Sequence, residues 1–318
     1  MGWSPGRYRR SGERTPFWVM AAAFSPGALS PGPAPLRKYR RLLYGLTFLS
    51  RPINLLLIAL TSAWTYALLL REAPRLTEYA QLWAIMLGST LGIAAGGYWL
   101  NALYDRAIDR INRPDRARWV ALCGSRTVFT ATLGVWGASF LLALRLPWKI
   151  LLLHGVAMVL LAWYARWGKK TGLPGNAAIA ALTGLVPWEV MLLMQTTTYA
   201  ADWLIPLAIV FNFARELVKD AEDLPGDRLY GVRSLPTQLS PRAWNRLLCG
   251  VWGLLLGLPV LPFLIQGLLW HRWAWGYLLL VSGGVVFPLL RARWGDYTNL
   301  SRALKIAMAG GLLAIGAL

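Results

Sequence analysis

Long apolar runs alternate with short, charge-bearing connections along most of this chain. Continuous Leu- and Ala-rich stretches lie at 45–70, 80–104, 127–144, 148–167, 174–195, 202–218, 245–267, 273–291 and 302–318. Each has about the 17–25 residues that a helix needs to cross a bilayer. A lipid-facing barrel would instead alternate apolar and polar residues over segments of roughly ten residues. The pattern therefore predicts an all-α, polytopic membrane protein of about nine transmembrane helices. Residues 1–42 have another composition, rich in Arg, Gly, Pro and Ser, with "SPGALSPGPAPLRKYRR" leading up to the first helix. They read as a basic, mobile N-terminal tail ahead of a transmembrane domain over 43–318. Within that tail "FWVMAAAFS" is too short for a signal-peptide core, and Met20 offers a second translation start.

Composition agrees with the pattern: 56% of residues are hydrophobic and 15% charged, against about a quarter charged in soluble domains. A net charge of +19 on a soluble protein would suggest nucleic acid, but the distribution of the charge points to topology instead. If the first helix starts inside, only Arg71, Arg75, Arg145, Lys149 and Arg272 of the 33 lysines and arginines fall on the outer side. This positive-inside pattern makes the lipid bilayer the expected partner, with no nucleic acid. It places the N-terminus and the charged loops on the cytoplasmic side of a cell (inner) membrane. Tryptophans near segment ends, such as Trp148, Trp163, Trp167, Trp203 and Trp273, fit interfacial belts. Cys123 and Cys249 have no metal-ligand spacing, and His154 and His271 have no neighbouring ligands; all four read as structural.

The 14 acidic residues are unevenly placed. Eight of them fall in two segments: Asp105, Asp109 and Asp115 after the second helix, and Glu216, Asp220, Glu222, Asp223 and Asp227 after the sixth. Both helices end on the same side, so both segments face one aqueous compartment. Asn101, Asp105 and Asp109 are four apart and stack along one face if the second helix continues through them. Asp220, Asp223 and Asp227 form a similar stripe up to Pro225–Gly226, where the pair is expected to break the helix. An oxygen-rich, cysteine-free donor set suits a hard cation such as Mg²⁺, which typically binds through one or two carboxylates plus a substrate's phosphates. The alternative is two ordinary loops whose Asp and Arg residues pair with each other.

These residues resemble the UbiA superfamily of intramembrane prenyltransferases, marked by N-D-x-x-D-x-x-x-D after helix two and D-x-x-x-D after helix six; here they read "NALYDRAID" and "DLPGD". The stretches "RPINLLLIALT", "WYARWGKKTGLPGN" and "RELVKDAEDLPGDRLYGVRSLP" extend the similarity over all but about the first 42 residues. One departure is Ala102, where the family usually has Asp, so one oxygen ligand is expected to be missing. Another is "RPDRARWVALCGSR", which replaces a stretch common in the aromatic-acceptor branches. The resemblance implies a Mg²⁺-dependent transferase, with two ions held by Asn101, Asp105, Asp109, Asp220, Asp223 and Asp227 and bridging an isoprenyl diphosphate. It assigns catalysis to Asp105, Asp109, Asp223, Asp227 and Lys169. To substrate binding it assigns Asn101, Asn54, Arg51, Tyr164, Lys170, Arg215, Lys219 and Arg228. Tyr98 or Tyr104 would face the allylic cation, and Gly88, Gly92, Gly96 and Gly97 would let helices pack closely beside the prenyl chain.

The similarity is nearest the branch that alkylates geranylgeranylglyceryl phosphate to a diether lipid precursor, with Arg51, Arg215, Lys170 and Arg233 as phosphate partners. An aromatic acceptor of the 4-hydroxybenzoate or homogentisate type uses the same donor site and stays open. So does a catalytically inactive lipid-binding relative, because of Ala102. A transporter would more often place its carboxylates near the membrane midplane.

Overall fold

The computed structural model describes residues 34–265 and 296–315, and every element it describes is a helix. The span expected at 273–291, the end of the one at 245–267, His271 and most of the N-terminal tail with Met20 lie outside the described residues. Helix α1 (Ala34–Leu49) crosses the compositional boundary at residue 42. It is amphipathic and packs along the surface helix α5 (Pro114–Cys123). The first apolar run is thus two helices, not one helix from residue 45. Pro52 disfavours a right-handed helical residue before it, and Arg51 takes φ 54 and ψ 69 between α1 and α2 (Pro52–Glu72).

A 3-10 turn over Pro74–Tyr79 returns the chain into α3 (Ala80–Tyr104), followed by the short α4 (Arg106–Asn112) and then α5. Three long helices follow: α6 (Ser125–Ala143), α7 (Trp148–Arg166) and α8 (Leu173–Met194). Helix α9 (Tyr199–Glu222) leads to α10 (Leu224–Leu229), α11 (Leu235–Gln238), α12 (Pro241–Gly257), α13 (Leu261–Ile265) and α14 (Tyr297–Ile315). Among the described residues five helices are long and apolar enough to cross a membrane: Pro52–Glu72, Pro74–Tyr104, Ser125–Ala143, Trp148–Arg166 and Leu173–Met194. Helix α9 fails that measure because it carries six charged side chains, most of them in its last two turns.

The helices pack α3 against α6 and α7, and α9 against α8 and α14. Three apolar clusters hold them. One, near the charged end, joins Leu49, Ala102, Trp119, Val120 and Val128. Another, at the opposite end, joins Tyr66, Leu69, Met86, Ile150 and Leu193. The third runs along α9 with Phe211, Leu217, Trp244, Leu248, Leu300 and Leu304. Lipid tails are as apolar as leucine, so close packing rather than water exclusion drives helix association here. At Gly96 a Cβ would run into the Trp136 indole, whose Nε1 donates to Ile93 O at 3.0 Å, and at Gly92 it would strike Ser139 Oγ. At Gly88 a Cβ would meet nothing within 4 Å.

This contrast sets a test. Gly96→Ala should lower stability by about 1–3 kcal/mol through overpacking, while Gly88→Ala leaves it unchanged or improved. Thermal unfolding of the two variants in one detergent compares them directly.

Candidate active site at the charged end of the helix bundle

The first acidic segment keeps its helical spacing across the α3–α4 junction. Asp105 N bonds Asn101 O at 2.9 Å, Asp109 N bonds Asp105 O at 2.7 Å, and Arg113 N bonds Asp109 O at 2.8 Å. Asn101, Asp105 and Asp109 therefore share one face, and Asn101 Nδ2 donates to Asp105 Oδ2 at 3.0 Å. Ala102 lies a helical step of about 100° away. It is fully buried in the apolar cluster with Leu49, Trp119 and Val120. A carboxylate at 102 would enter that cluster, so the motif's departure takes no ligand away from the acidic face.

The second segment breaks close to where Pro225–Gly226 predicts: α9 ends at Glu222 and the separate short helix α10 starts at Leu224, so the interruption falls at Asp223. Pro225 sits in the first turn of α10, where its missing N–H has no helical partner to lose. Asp227 N still bonds Asp223 O at 3.1 Å. Gly226 has a different role: its N–H donates to Asn112 Oδ1 at 2.9 Å, and a Cβ there would collide with the Asn112 amide. Asn112 Nδ2 in turn donates to Asp223 O at 2.7 Å. One asparagine thus straps the two acidic segments together, and Arg113 adds ion pairs to Asp223 Oδ1 at 3.2 Å and Glu222 Oε2 at 3.5 Å.

Lys169 stands between the segments, presented by the 3-10 turn Gly168–Thr171 that joins α7 to α8. Its Nζ lies 3.4 Å from Asp105 Oδ2, 3.8 Å from Asp223 Oδ2 and 3.9 Å from Asp227 Oδ1. Asp105, Asp109, Asp220, Asp223 and Asp227 are each at most 4% exposed. Their mutual repulsion would prevent this convergence without a cation. Burial disfavours the Lys169 charge, but Asp105, Asp223, Asp227 and Asp109 together raise its pKa above the ordinary lysine value. Asp223 is likewise penalised by burial, yet Arg113, Lys169 and Lys219 hold its carboxyl below the usual range. Burial wins at Asp109 and Asp227, whose pKa values rise, with Arg116 opposing the rise at Asp109 and Lys169 at Asp227. Asp109 Oδ2 pairs with Arg116 Nη1 at 3.2 Å. Asp220 accepts from Asn176 Nδ2 at 2.8 Å.

The remaining expected residues divide by exposure. Asn54, Tyr164 and Lys219 are buried. Tyr164 Oη donates to Glu216 Oε2 at 3.3 Å, Lys219 Nζ donates to the same oxygen at 2.7 Å, and Arg215 Nη1 pairs with Glu216 Oε1 at 3.4 Å. Arg51 places its guanidinium 5.1 Å from the Tyr98 ring centroid. Lys170, Arg228 and Arg233, by contrast, are exposed, and none of them lines the cavities at this end. Tyr104 is also turned outward, at 46% exposed. Sequence reasoning missed Asn112, Arg113, Arg116 and Asn176 as parts of the site, and it gave Glu216, which it placed in the second acidic segment, no role. The first three sat in view inside "RINRPDR", where they read as loop charges.

Three cavities meet here. A basic one of about 540 Å³ is lined by Arg51, Arg113, Arg116, Arg215, Lys219 and Lys305. Two narrow apolar clefts leave it toward the middle of the bundle and share Ile58, Tyr98, Thr183, Val186, Asn212 and Arg215 where they join. One runs between α2, α9 and α14 past Leu204, Leu207 and Met308; the other runs between α3, α7 and α8 past Ile93, Ala157 and Leu182.

A helical membrane bundle with a buried acidic clamp and apolar clefts behind it has the form of an intramembrane enzyme. The chain belongs to the UbiA prenyltransferase family, whose pattern matches residues 55–309. It is 32% identical over 232 residues to a digeranylgeranylglyceryl phosphate synthase of Halobacterium salinarum, covering 73% of this chain and 81% of that one. A Methanospirillum hungatei protein of the same name is 30% identical, covering 85% and 96%. Among solved structures, a digeranylgeranylglyceryl phosphate synthase superposes with a TM-score of 0.61 at 22% identity, over 86% of this chain and 97% of that one. A UbiA homolog from Archaeoglobus fulgidus bound to GPP and Mg²⁺ superposes with a TM-score of 0.56 at 16% identity, over 85% and 99%.

Two variants test the clamp. Lys169→Met strands buried carboxylates and should cost about 3–5 kcal/mol, whereas Lys169→Arg should retain most of the stability. Asn112→Ala removes two hydrogen bonds between the segments and should cost about 1–3 kcal/mol, since Gly226 N and Asp223 O lose their partner. Thermal unfolding in lipid nanodiscs measures both.

Proposed function

We propose that this prenyltransferase moves a geranylgeranyl group from its diphosphate to geranylgeranylglyceryl phosphate, with the charged end of the bundle on the cytoplasmic side of the cell membrane. The observation that carries the acceptor assignment is the pair of apolar clefts converging beneath one charged head. Joining two polyprenyl lipids requires room for two chains at once. An aromatic acceptor needs only one cleft.

The donor's diphosphate belongs at the acidic clamp. Asn101, Asp105, Asp109, Asp220, Asp223 and Asp227 are the residues that would hold Mg²⁺, and the donor set fits that ion. It is all oxygen, and among the described residues Asn101 Oδ1 is buried without a hydrogen-bond partner. Among the described residues no three His, Cys, Asp or Glu side chains already form a cation cage, and Lys169 stands among the carboxylates. When bound, the metal neutralises the diphosphate as a Lewis acid. Lys169 and Lys219 contribute further positive charge beside the leaving oxygen, where negative charge develops. The allylic C–O bond breaks with its electron pair leaving on the diphosphate, and the acceptor hydroxyl oxygen forms the new C–O bond and releases its proton to water. Tyr98, at the junction of the clefts, offers an aromatic face to the cationic carbon.

The acceptor's phosphate belongs in the basic cavity. Arg51 Nη2 and Arg116 Nε and Nη2 are buried there with no hydrogen-bond partner among the described residues, and an unmet buried donor is costly unless a ligand satisfies it. A phosphate presents the acceptor oxygens that guanidinium groups match.

Purified protein in lipid, given geranylgeranyl diphosphate with Mg²⁺ or EDTA and offered geranylgeranylglyceryl phosphate or 4-hydroxybenzoate, should prenylate the glyceryl phosphate only with Mg²⁺. Asp105→Ala and Asp223→Ala should each lower the rate by about 10²–10³-fold. Ala208→Phe, which fills the cleft beside α9, should raise the KM of the lipid acceptor and leave that of the donor unchanged. Product from the aromatic acceptor alone would overturn the acceptor assignment, and bound diphosphate without any product would mark an inactive relative.

A further inference from the structure

The cleft between α3, α7 and α8 ends on a polar group that the transfer chemistry does not use. Deep in the bundle, Thr90, His154 and Glu189 line a small extension of this cleft, which shares Thr90, Ile93, Ala157, Leu182 and Val186 with it. His154 and Glu189 are each 3% exposed. Their Nε2 and Oε2 atoms are 3.1 Å apart, and Thr90 Oγ1 donates to Glu189 Oε1 at 2.7 Å. His154 Nδ1 lies 3.0 Å from Ser89 Oγ, which donates to Ser139 O at 2.8 Å. Each helix of the cleft thus contributes to one connected network, anchored on α6. An ionisable pair this deep between membrane helices is costly and calls for a function.

Its depth is set by helix geometry. Thr90 is eleven residues from Asn101 on α3, His154 ten from Tyr164 on α7, and Glu189 thirteen from Asn176 on α8. At 1.5 Å per residue all three lie roughly 15–20 Å below the charged head. Covalent bond lengths let an extended isoprene unit advance roughly 5 Å over its four backbone bonds. The distance from head to network thus holds three to four units.

We infer that Thr90, His154 and Glu189 form a polar floor to the donor cleft that limits the prenyl chain to about four isoprene units. The inference rests on the prenyl-donor reading above and names a determinant of chain length within it. A fifth unit would have to break the hydrogen bonds of the pair and put hydrocarbon against unsatisfied polar atoms, a penalty that an apolar end wall would not impose. The walls above the floor, by contrast, are apolar at Ile93, Ala157 and Leu182 and accept the chain without cost.

The test compares donors of two, three, four and five isoprene units, using wild type and the double variant His154→Ala/Glu189→Ala, which removes both partners together. Turnover is read with Mg²⁺, and binding of the matching prenyl monophosphates is read in EDTA. Wild type should prefer four units over five by roughly 10- to 100-fold, the size of a misfit in an apolar pocket. The double variant should erase that preference in both readouts and keep its rate with shorter donors. Ala157→Phe, which shortens the cleft from above, should move the preference to two or three units. An unchanged four-to-five ratio in the double variant, with four-unit turnover intact, would overturn the floor alone. Should the double variant fail to fold, Ala157→Phe decides: an unshifted chain preference overturns the floor's place in the donor cleft. Wild type inactive with every donor would overturn the prenyl-donor reading itself.

Discussion

Five buried carboxylates can share one end of a membrane bundle only if positive charge sits among them. Lys169 meets this constraint by standing within 4 Å of acidic groups from both motif segments, and the rest of the site is arranged around it. The turn between α7 and α8 exists to deliver that ammonium, with Gly168 and Lys169 both buried in it. Arg113 and Arg116 fulfil the same need from the flank, each paired with one carboxylate segment. On the proposed function, a metal-bound diphosphate would bring both the cations that the carboxylates need and the anion that the surrounding lysines and arginines need.

Position follows from backbone as much as from charge. Asn112 bonds both Asp223 O and Gly226 N, so the two acidic segments are joined by an uncharged link, which salt screens less than an ion pair. Ala102 belongs to this architecture rather than to the chemistry. It fills the apolar side of α3 where Leu49 and Trp119 pack, a helical step away from the acidic face. Asn101 faces the carboxylates on one side of the helix, and Ala102 faces the apolar cluster on the other.

Much of this could be read from the sequence, because two periodicities dominate it. Apolar runs long enough to span lipid gave the helical class. Carboxylates at three- and four-residue spacing gave the two motif faces, and the family resemblance fixed their pairing and singled out Lys169. The failures were local and have local causes. Pro52 splits the first run, which hydropathy alone reads as continuous. Lys170, Arg228 and Arg233 carry the right charge, yet they are exposed and line none of the cavities at this end. Asn112 and Glu189 were invisible for the opposite reason: each acts through a partner more than thirty residues away, and no local pattern marks such a pairing.

The most direct measurement of the central claim is an anomalous-scattering structure of the protein in lipid with Mn²⁺ in place of Mg²⁺ and a slowly reacting thio analogue of geranylgeranyl diphosphate. The account predicts metal density between the Asn101–Asp105–Asp109 face and Asp223–Asp227, with the diphosphate against it beside Lys169 and the prenyl chain in the cleft between α3, α7 and α8. Metal and diphosphate bound elsewhere, with Lys169 still paired to Asp105, Asp223 and Asp227, would contradict it.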